Sequence, residues 1–232
     1  MKLAGLQKLS LVDFPGYLSC AVFVQGCNFH CPYCQNPGLI PKTSGEEKVT
    51  EKEIFDFLKN RKSMLEGVVI TGGEPVILRD LPIFINQIKK LGYKVKLDTN
   101  GSEPDVVKAL LGEGLIDYIA LDVKTSLSKY SLLTERENIK ERISESVEHI
   151  KRLSEVYEFR TTCVPGIVDE EDFWMIGKMV KGAQKYCLQQ FRPFKTYKED
   201  FQKITPYQKN DFLKFQSILE KFVNIVEIRG IE

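Results

Sequence analysis

Six consecutive strand-then-helix units run through this chain, and that alternation limits the fold more than any other feature of the sequence. Apolar strand patterns at 18–24, 67–70, 93–97, 116–121, 157–164 and 187–191 are each followed by a helical pattern, and 223–228 closes the series as a strand. Thr50-Glu51-Lys52-Glu53 reads as a capping box opening a helix with Ile54, Phe55 and Leu58 on one face. Asp80 and Asp169 stand where caps belong, Gly92 stops the second helix, and Ser102-Glu103-Pro104 opens the third. Ile139, Ile143, Val147 and Ile150 mark the fourth helix, Phe173, Ile176 and Val180 the fifth, and Phe212, Phe215 and Leu219 the sixth. Such a series predicts an α/β fold whose parallel sheet is covered by helices. Pattern alone leaves open whether the sheet closes into a barrel. We expect one domain over residues 1–232.

The unusual residues gather at one edge of that sheet. The loop 26–37, then Gly72-Gly73-Glu74-Pro75, Asp98-Thr99-Asn100-Gly101, Asp122-Val123-Lys124, Val164-Pro165-Gly166 and Pro193-Phe194-Lys195 each follow a successive strand. In parallel α/β folds the C-terminal strand edge is where active sites collect. Loop 26–37 carries Cys27, Cys31 and Cys34 at C-x3-C-x2-C spacing, with no fourth cysteine nearby. Structural zinc takes four ligands, and a closed iron–sulfur cubane takes four cysteines. A cubane held by three thiolates leaves one iron free for a small molecule; zinc or idle thiols remain open on spacing alone. The paired glycines let backbone approach a ligand that a Cβ would block. Asp98 and Asp122 could hold a ribose or a cation, or could cap the helices after them. Lys124, Arg160 and Lys195 are cations suited to an anionic ligand or to solvent. His30 is not needed as a ligand, and His149 belongs to a helix surface.

Composition excludes several classes of partner. Lys and Arg number 33 against 32 Asp and Glu, so no basic field points to nucleic acid or an anionic membrane. Apolar runs are strand-sized, short of the roughly 20 residues that cross a bilayer. The first residues lack a signal-peptide pattern, which makes cytoplasm the expected compartment and metal or redox chemistry the expected use of cysteine. Cys20, Cys163 and Cys187 sit in apolar stretches and read as small buried hydrophobes. The least patterned stretches, 37–48 and 126–137, are candidate lids or docking surfaces.

Together, the cysteine loop with Tyr33 before its third cysteine and the Gly72-Gly73-Glu74-Pro75 turn resemble the radical S-adenosylmethionine (radical SAM) enzymes. The resemblance covers nearly the whole chain and implies a partial (β/α)6 barrel with a parallel sheet. It implies that Cys27, Cys31 and Cys34 hold a 4Fe-4S cluster whose fourth iron chelates S-adenosyl-L-methionine. It places Gly72 and Gly73 on the amino group, the Tyr33 backbone on the adenine, and Asp98, Thr99 and Lys124 on ribose and carboxylate, with Asp122 nearby. Asn36, Glu74 and Lys195 complete the candidate cofactor-binding set. Ser10-Leu11-Val12-Asp13-Phe14-Pro15-Gly16, Cys31-Pro32-Tyr33-Cys34-Gln35-Asn36-Pro37 and Leu121-Asp122-Val123-Lys124 are further similar to glycyl-radical-enzyme activases. The activase of anaerobic ribonucleoside-triphosphate reductase is the first match, that of pyruvate formate-lyase the second. Gln35 stands where many activases have histidine. The implied partners are a glycyl-radical enzyme and a reduced flavodoxin- or ferredoxin-type electron donor. A radical enzyme acting on a small molecule, such as a carboxy-deazaguanine synthase, is the rival within the family, and a non-catalytic metal module the rival outside it.

Overall fold

The computed structural model describes residues 1–41 and 49–231. One sheet of eight strands carries the chain, in spatial order identical to chain order: β1 (Leu3–Ser10), β2 (Ser19–Val24), β3 (Gly67–Gly72), β4 (Lys94–Thr99), β5 (Tyr118–Asp122), β6 (Tyr157–Cys163), β7 (Lys185–Gln190) and β8 (Ile225–Arg229). Strands β2 to β8 are parallel, and β1 runs antiparallel along β2. Helices α1 (Glu51–Arg61), α2 (Leu81–Lys90), α3 (Pro104–Gly112), α4 (Ile139–Leu153), α5 (Glu170–Met179) and α6 (Lys209–Leu219) fill the six crossovers. The sheet has two edges, β1 and β8, so it is a partial rather than a closed barrel. No helix among the described residues is long and apolar enough to cross a membrane.

Local chemistry explains the elements. Thr50 and Asp169 each form a full capping box, with Glu53 and Asp172 as the reciprocal partners. Asp80 precedes α2 without a side-chain cap bond, so its helix start rests on Pro82 and packing rather than on the cap expected from sequence. Strand β1 was not evident in the sequence. It pairs with β2 through two register shifts, and Gln7, Lys8 and Leu9 are exposed, which breaks the alternation that marks a half-buried strand.

Side chains alternate across each strand, and the two faces of this sheet differ sharply. Leu97, Leu121, Phe159 and Leu188 face the helices and join Ile85, Val107, Ile143 and Phe173 in one continuous apolar core. The buried thiols Cys20 and Cys163 lie among these apolar side chains, as the sequence suggests. The inner face is apolar only near its floor, where Phe14 packs with Ala21, Val69, Tyr118 and Ala120. A Cβ on Gly67 would stand 2.6 Å from the Phe14 ring, so glycine there lets the loop after β1 plug the barrel.

Beside this floor lies a buried carboxylate that pins the last strand. Arg229 of β8 donates to both oxygens of Glu158 at 2.9 and 2.8 Å, Tyr118 Oη donates at 2.8 Å, and the Cys187 thiol donates at 3.3 Å. Burial alone would raise the Glu158 pKa, but the bonds and charge of Arg229 and the Tyr118 hydroxyl hold it down at about 2. A depressed folded-state pKa adds stability above the unfolded carboxylate range, and that stability is lost as pH falls through the folded value. The shift corresponds to about 3 kcal/mol at most. Urea titrations from pH 5 to pH 2 should therefore show a steep loss of stability in the native chain and a flatter profile in Glu158→Gln; equal acid sensitivity would contradict the pinning role.

Candidate active site at the C-terminal strand edge

A cavity of about 390 Å³ opens above the inner face. Its wall brings together Cys27, Cys31 and Cys34, then Tyr33, Asn36, Gly72, Gly73, Glu74, Asp98, Thr99, Asp122 and Lys124. Nine residues separate Cys27 from the end of the loop at Pro37, yet both ends of this loop are fixed by backbone bonds. Gly26 N donates to Leu39 O at 2.8 Å, Cys27 N to Ile40 O at 3.1 Å and His30 N to Leu133 O at 2.7 Å. Asn28 anchors the middle: its amide donates to Ser102 Oγ at 2.7 Å and accepts from Asn100 Nδ2 at 3.0 Å. The segment 126–137, expected as a lid or docking surface, is partly a support. Tyr130 and Leu133 are buried, and Thr134 Oγ1 donates to Asn28 O. Of the other such stretch, 37–48, the part 42–48 lies outside the described residues.

The thiols share an environment. Burial pushes the Cys27 thiol up to about 12, aided by Glu74 and Cys31, and pushes Cys31 up to about 11 against the opposing charge of Lys124. At Cys27 and Cys31 burial thus favours the neutral thiol, and a bound cation would stabilise the thiolates. Among the described residues no three His, Cys, Asp or Glu side chains converge tightly enough for a single metal ion. Three thiols on one wall suit the three-cysteine set of an open cubane, whereas a structural zinc takes four ligands. His30 is exposed and off the cavity wall.

Gly72 and Gly73 form a side-chain-free turn on the cavity wall. Gly72 has φ +111°, and a Cβ on Gly73 would stand 2.0 Å from Gly26 O; no other residue fits this turn. Gly73 N donates to Val24 O at 3.0 Å and Glu74 N to Gly26 O at 2.8 Å, which ties the turn to the start of the cysteine loop. Glu74 itself is buried and accepts from Thr99 Oγ1 at 2.7 Å, Asn100 N at 2.6 Å and Val76 N at 3.3 Å. Burial nevertheless pushes its pKa up to about 7. Glu74 and Thr99 therefore brace the strand ends, with the Thr99 proton already committed to Glu74.

The cavity floor is charged. Arg160 binds Asp122 through Nε at 2.5 Å and Nη2 at 3.3 Å, and reaches Asp98 at 3.3 Å. Lys124 Nζ lies 3.0 Å from Asp122, and Lys96 pairs with Asp98. Burial opposes ionisation of Asp122, yet Arg160 and Lys124 hold it far below the usual carboxylate range. Lys124 is raised in turn: burial would lower it, but Asp122 and Cys31 outweigh that. Arg160, ambiguous in the sequence, is thus a site residue. Asp13, Thr162 and Gln189 also line the cavity. The signal for Arg160 and Thr162 was present: Glu158, Arg160 and Thr162 alternate with Phe159, Thr161 and Cys163, a polar stripe facing inward. Asp13 follows no parallel strand, and the sequence marks it only through the Ser10–Gly16 resemblance.

Lys195 does not join this set. It is exposed on the segment after β7 and off the cavity wall, because that segment turns outward over the cysteine loop. The Tyr33 hydroxyl is buried without a hydrogen-bond partner among the described residues. An orphaned hydroxyl, three thiols on one wall and a turn kept free of side chains beside them fit a 4Fe-4S cluster with S-adenosylmethionine on it.

Residues 21–178 match the radical SAM superfamily. A protein of Methanocaldococcus jannaschii, provisionally named a glycyl-radical enzyme activating enzyme, is 37% identical over 236 aligned residues, covering 98% of this chain and 95% of the relative. A 7-carboxy-7-deazaguanine synthase of Aquifex aeolicus is 38% identical over 87 residues, 38% of each chain. Among solved structures, SuiB of Streptococcus suis, bound to S-adenosylmethionine, superposes with a TM-score of 0.66 over 90% of this chain and 48% of its own, at 16% identity. That likeness concerns the fold alone. The cofactors of the matched superfamily are a 4Fe-4S cluster and S-adenosylmethionine, and this chain belongs to it, among the glycyl-radical enzyme activating enzymes.

Proposed function

We propose that this chain, acting as one domain in the cytoplasm, generates the glycyl radical of anaerobic ribonucleoside-triphosphate reductase. The observation that carries the site assignment is the single cavity in which three thiols, the Gly72-Gly73 turn and the Asp98–Arg160–Asp122–Lys124 network meet. Support for the partner comes from the Ser10–Gly16 and Cys31–Pro37 segments, which resemble that reductase's activase.

In this proposal Cys27, Cys31 and Cys34 would hold the cluster, which with S-adenosylmethionine bound would supply reductive carbon–sulfur cleavage, driven by one electron from an external donor, and hydrogen abstraction from a glycine Cα. The chain's own residues orient and shield. The backbone of Gly72 and Gly73 contacts the amino group, while Lys124 offers its charge to the carboxylate. Asp98 and Asp122 offer carboxylate oxygens to ribose, held in place by Arg160 and Lys96. Phe14 closes the floor against water. No general base is needed, because a hydrogen atom rather than a proton is moved. Glycine is a sensible target: its Cα radical is stabilised by both flanking amides, and a loop without side chains can enter the open barrel.

A second reading, a small-molecule radical enzyme, draws on the local likeness to the Aquifex aeolicus synthase. Deuterium labelling separates the two. With the reductase's glycine deuterated at Cα, deuterium should appear in 5′-deoxyadenosine. Cleavage of S-adenosylmethionine without deuterium transfer would favour the small-molecule reading. The glycine turn has its own test: Gly73→Ala should leave the helical spectrum intact and slow S-adenosylmethionine cleavage about 100-fold, the usual scale for a misplacement of about 1 Å. An unaffected rate would remove the turn from the site.

A further inference from the structure

Across β6 and β7 the inner face of the sheet ends in two rungs. In the lower rung Asp122 stands beside Arg160, Arg160 beside Cys187 and Cys187 beside Glu227. Every polar side chain of this rung is engaged: Arg160 holds Asp122, the Cys187 thiol donates to Glu158, and Glu227 accepts from Arg229. One rung higher, Thr162 stands beside Gln189. Both line the thiol cavity and are half-buried, yet neither side chain has a hydrogen-bond partner among the described residues.

Charge is already settled around this pair. Lys124 and Arg160, the two cations among the described lining residues, bind Asp122, and Arg160 also reaches Asp98. Arg229 lies beside Gln189 in register, but its guanidinium is taken by Glu158 and Glu227. Asp13 reaches the cavity from the loop between β1 and β2 and has no cation partner among the described residues. A substrate carboxylate or phosphate at this end would find no free cation and would face Asp13. The open groups suit a neutral ligand instead. A carboxamide offers an acceptor and two N–H donors, and a hydroxyl can donate or accept, so the pair matches the alternating N–H and C=O of a polypeptide. A glycine presents nothing else: without a side chain it can be gripped only through its backbone.

We propose that Gln189 and Thr162 hold the backbone of the partner's glycine segment, the Gln189 carboxamide pairing with a peptide group beside the target residue. The proposal rests on the activase reading above and adds to it the side chains that make this wall a peptide site. Polar groups on a cavity wall are satisfied by water when nothing else binds, so the peptide gains here by replacing that water with matched bonds. A grip on the backbone fixes the glycine Cα itself, and hydrogen transfer depends on that position.

The test uses cluster-loaded protein with S-adenosylmethionine, left unreduced so that nothing turns over, and a synthetic peptide spanning the radical-bearing glycine of the anaerobic reductase. The peptide should bind about 10-fold more weakly to Gln189→Ala and to Thr162→Val, the scale of one hydrogen bond. Exchanging the amides that flank the glycine for esters removes their N–H and weakens their carbonyl acceptors. That exchange should cost the native chain a similar factor and Gln189→Ala much less, since both changes remove one contact. Additive losses would place Gln189 away from the peptide backbone and overturn the proposal. So would equal affinity of the native chain for amide and ester peptides, which requires no variant to fold. A fall in S-adenosylmethionine affinity in Gln189→Ala as large as the fall in peptide affinity would assign the rung to the cofactor and overturn it too. If the native chain binds no such peptide, the proposal falls together with the activase reading; peptide affinity unchanged in Gln189→Ala removes the proposal alone.

Discussion

One buried carboxylate holds the site in register. Glu74 takes hydrogen bonds from Thr99 and Asn100 at the end of β4 while its own amide is bonded to Gly26 at the start of the cysteine loop. Asn100 passes the constraint on, since its side chain donates to Asn28 in the middle of that loop. Strand ends β2, β3 and β4 are thereby locked to the segment that presents the thiols. Each group in such a network is costly to leave unpaired, by about 1–3 kcal/mol, so the arrangement is cooperative: loosening Glu74 frees the glycine turn and the cysteine loop together.

The second constraint is the unequal treatment of the sheet's faces. Against the helices the strands are packed with Leu, Ile, Val and Phe. Toward the inside, Lys96, Asp98, Asp122, Glu158 and Arg160 form a charged layer in which every carboxylate has a cation. Buried ion pairs add little net stability, and an interior of this kind cannot collapse onto itself as an apolar one would. Its value is a preorganised polar floor under an open cavity. Phe14 and Gly67 seal the bottom, and the Glu158–Arg229 pair keeps β8 in place at the free edge.

Much of this was legible in the sequence, for physical reasons that also mark where legibility ended. Strands packed by helices on one face and by the apolar floor on the other read as apolar runs over that stretch, and the six units stood out because Gly, Pro, Asp and Asn punctuate their ends. Strand β1 escaped because an edge strand with register shifts keeps no clean period. Position at a strand end located Asp98, Asp122 and Lys124 correctly on the cavity wall, but the same rule misplaced Lys195, since nothing local shows that 192–198 peels outward. Thr99 and Glu74 sit where expected, yet their polar atoms serve each other rather than open space. Which member of a motif touches a ligand and which braces its neighbour depends on long-range hydrogen bonds that no spacing encodes.

The central claim, that this cavity makes a radical and passes it to a glycine, is tested most directly by anaerobic electron paramagnetic resonance. The reconstituted, reduced protein would be mixed with S-adenosylmethionine and an anaerobic ribonucleoside-triphosphate reductase from the same source. A glycyl-radical doublet that requires all three components is the result this account predicts. No organic radical on the reductase, with 5′-deoxyadenosine formed all the same, would contradict it.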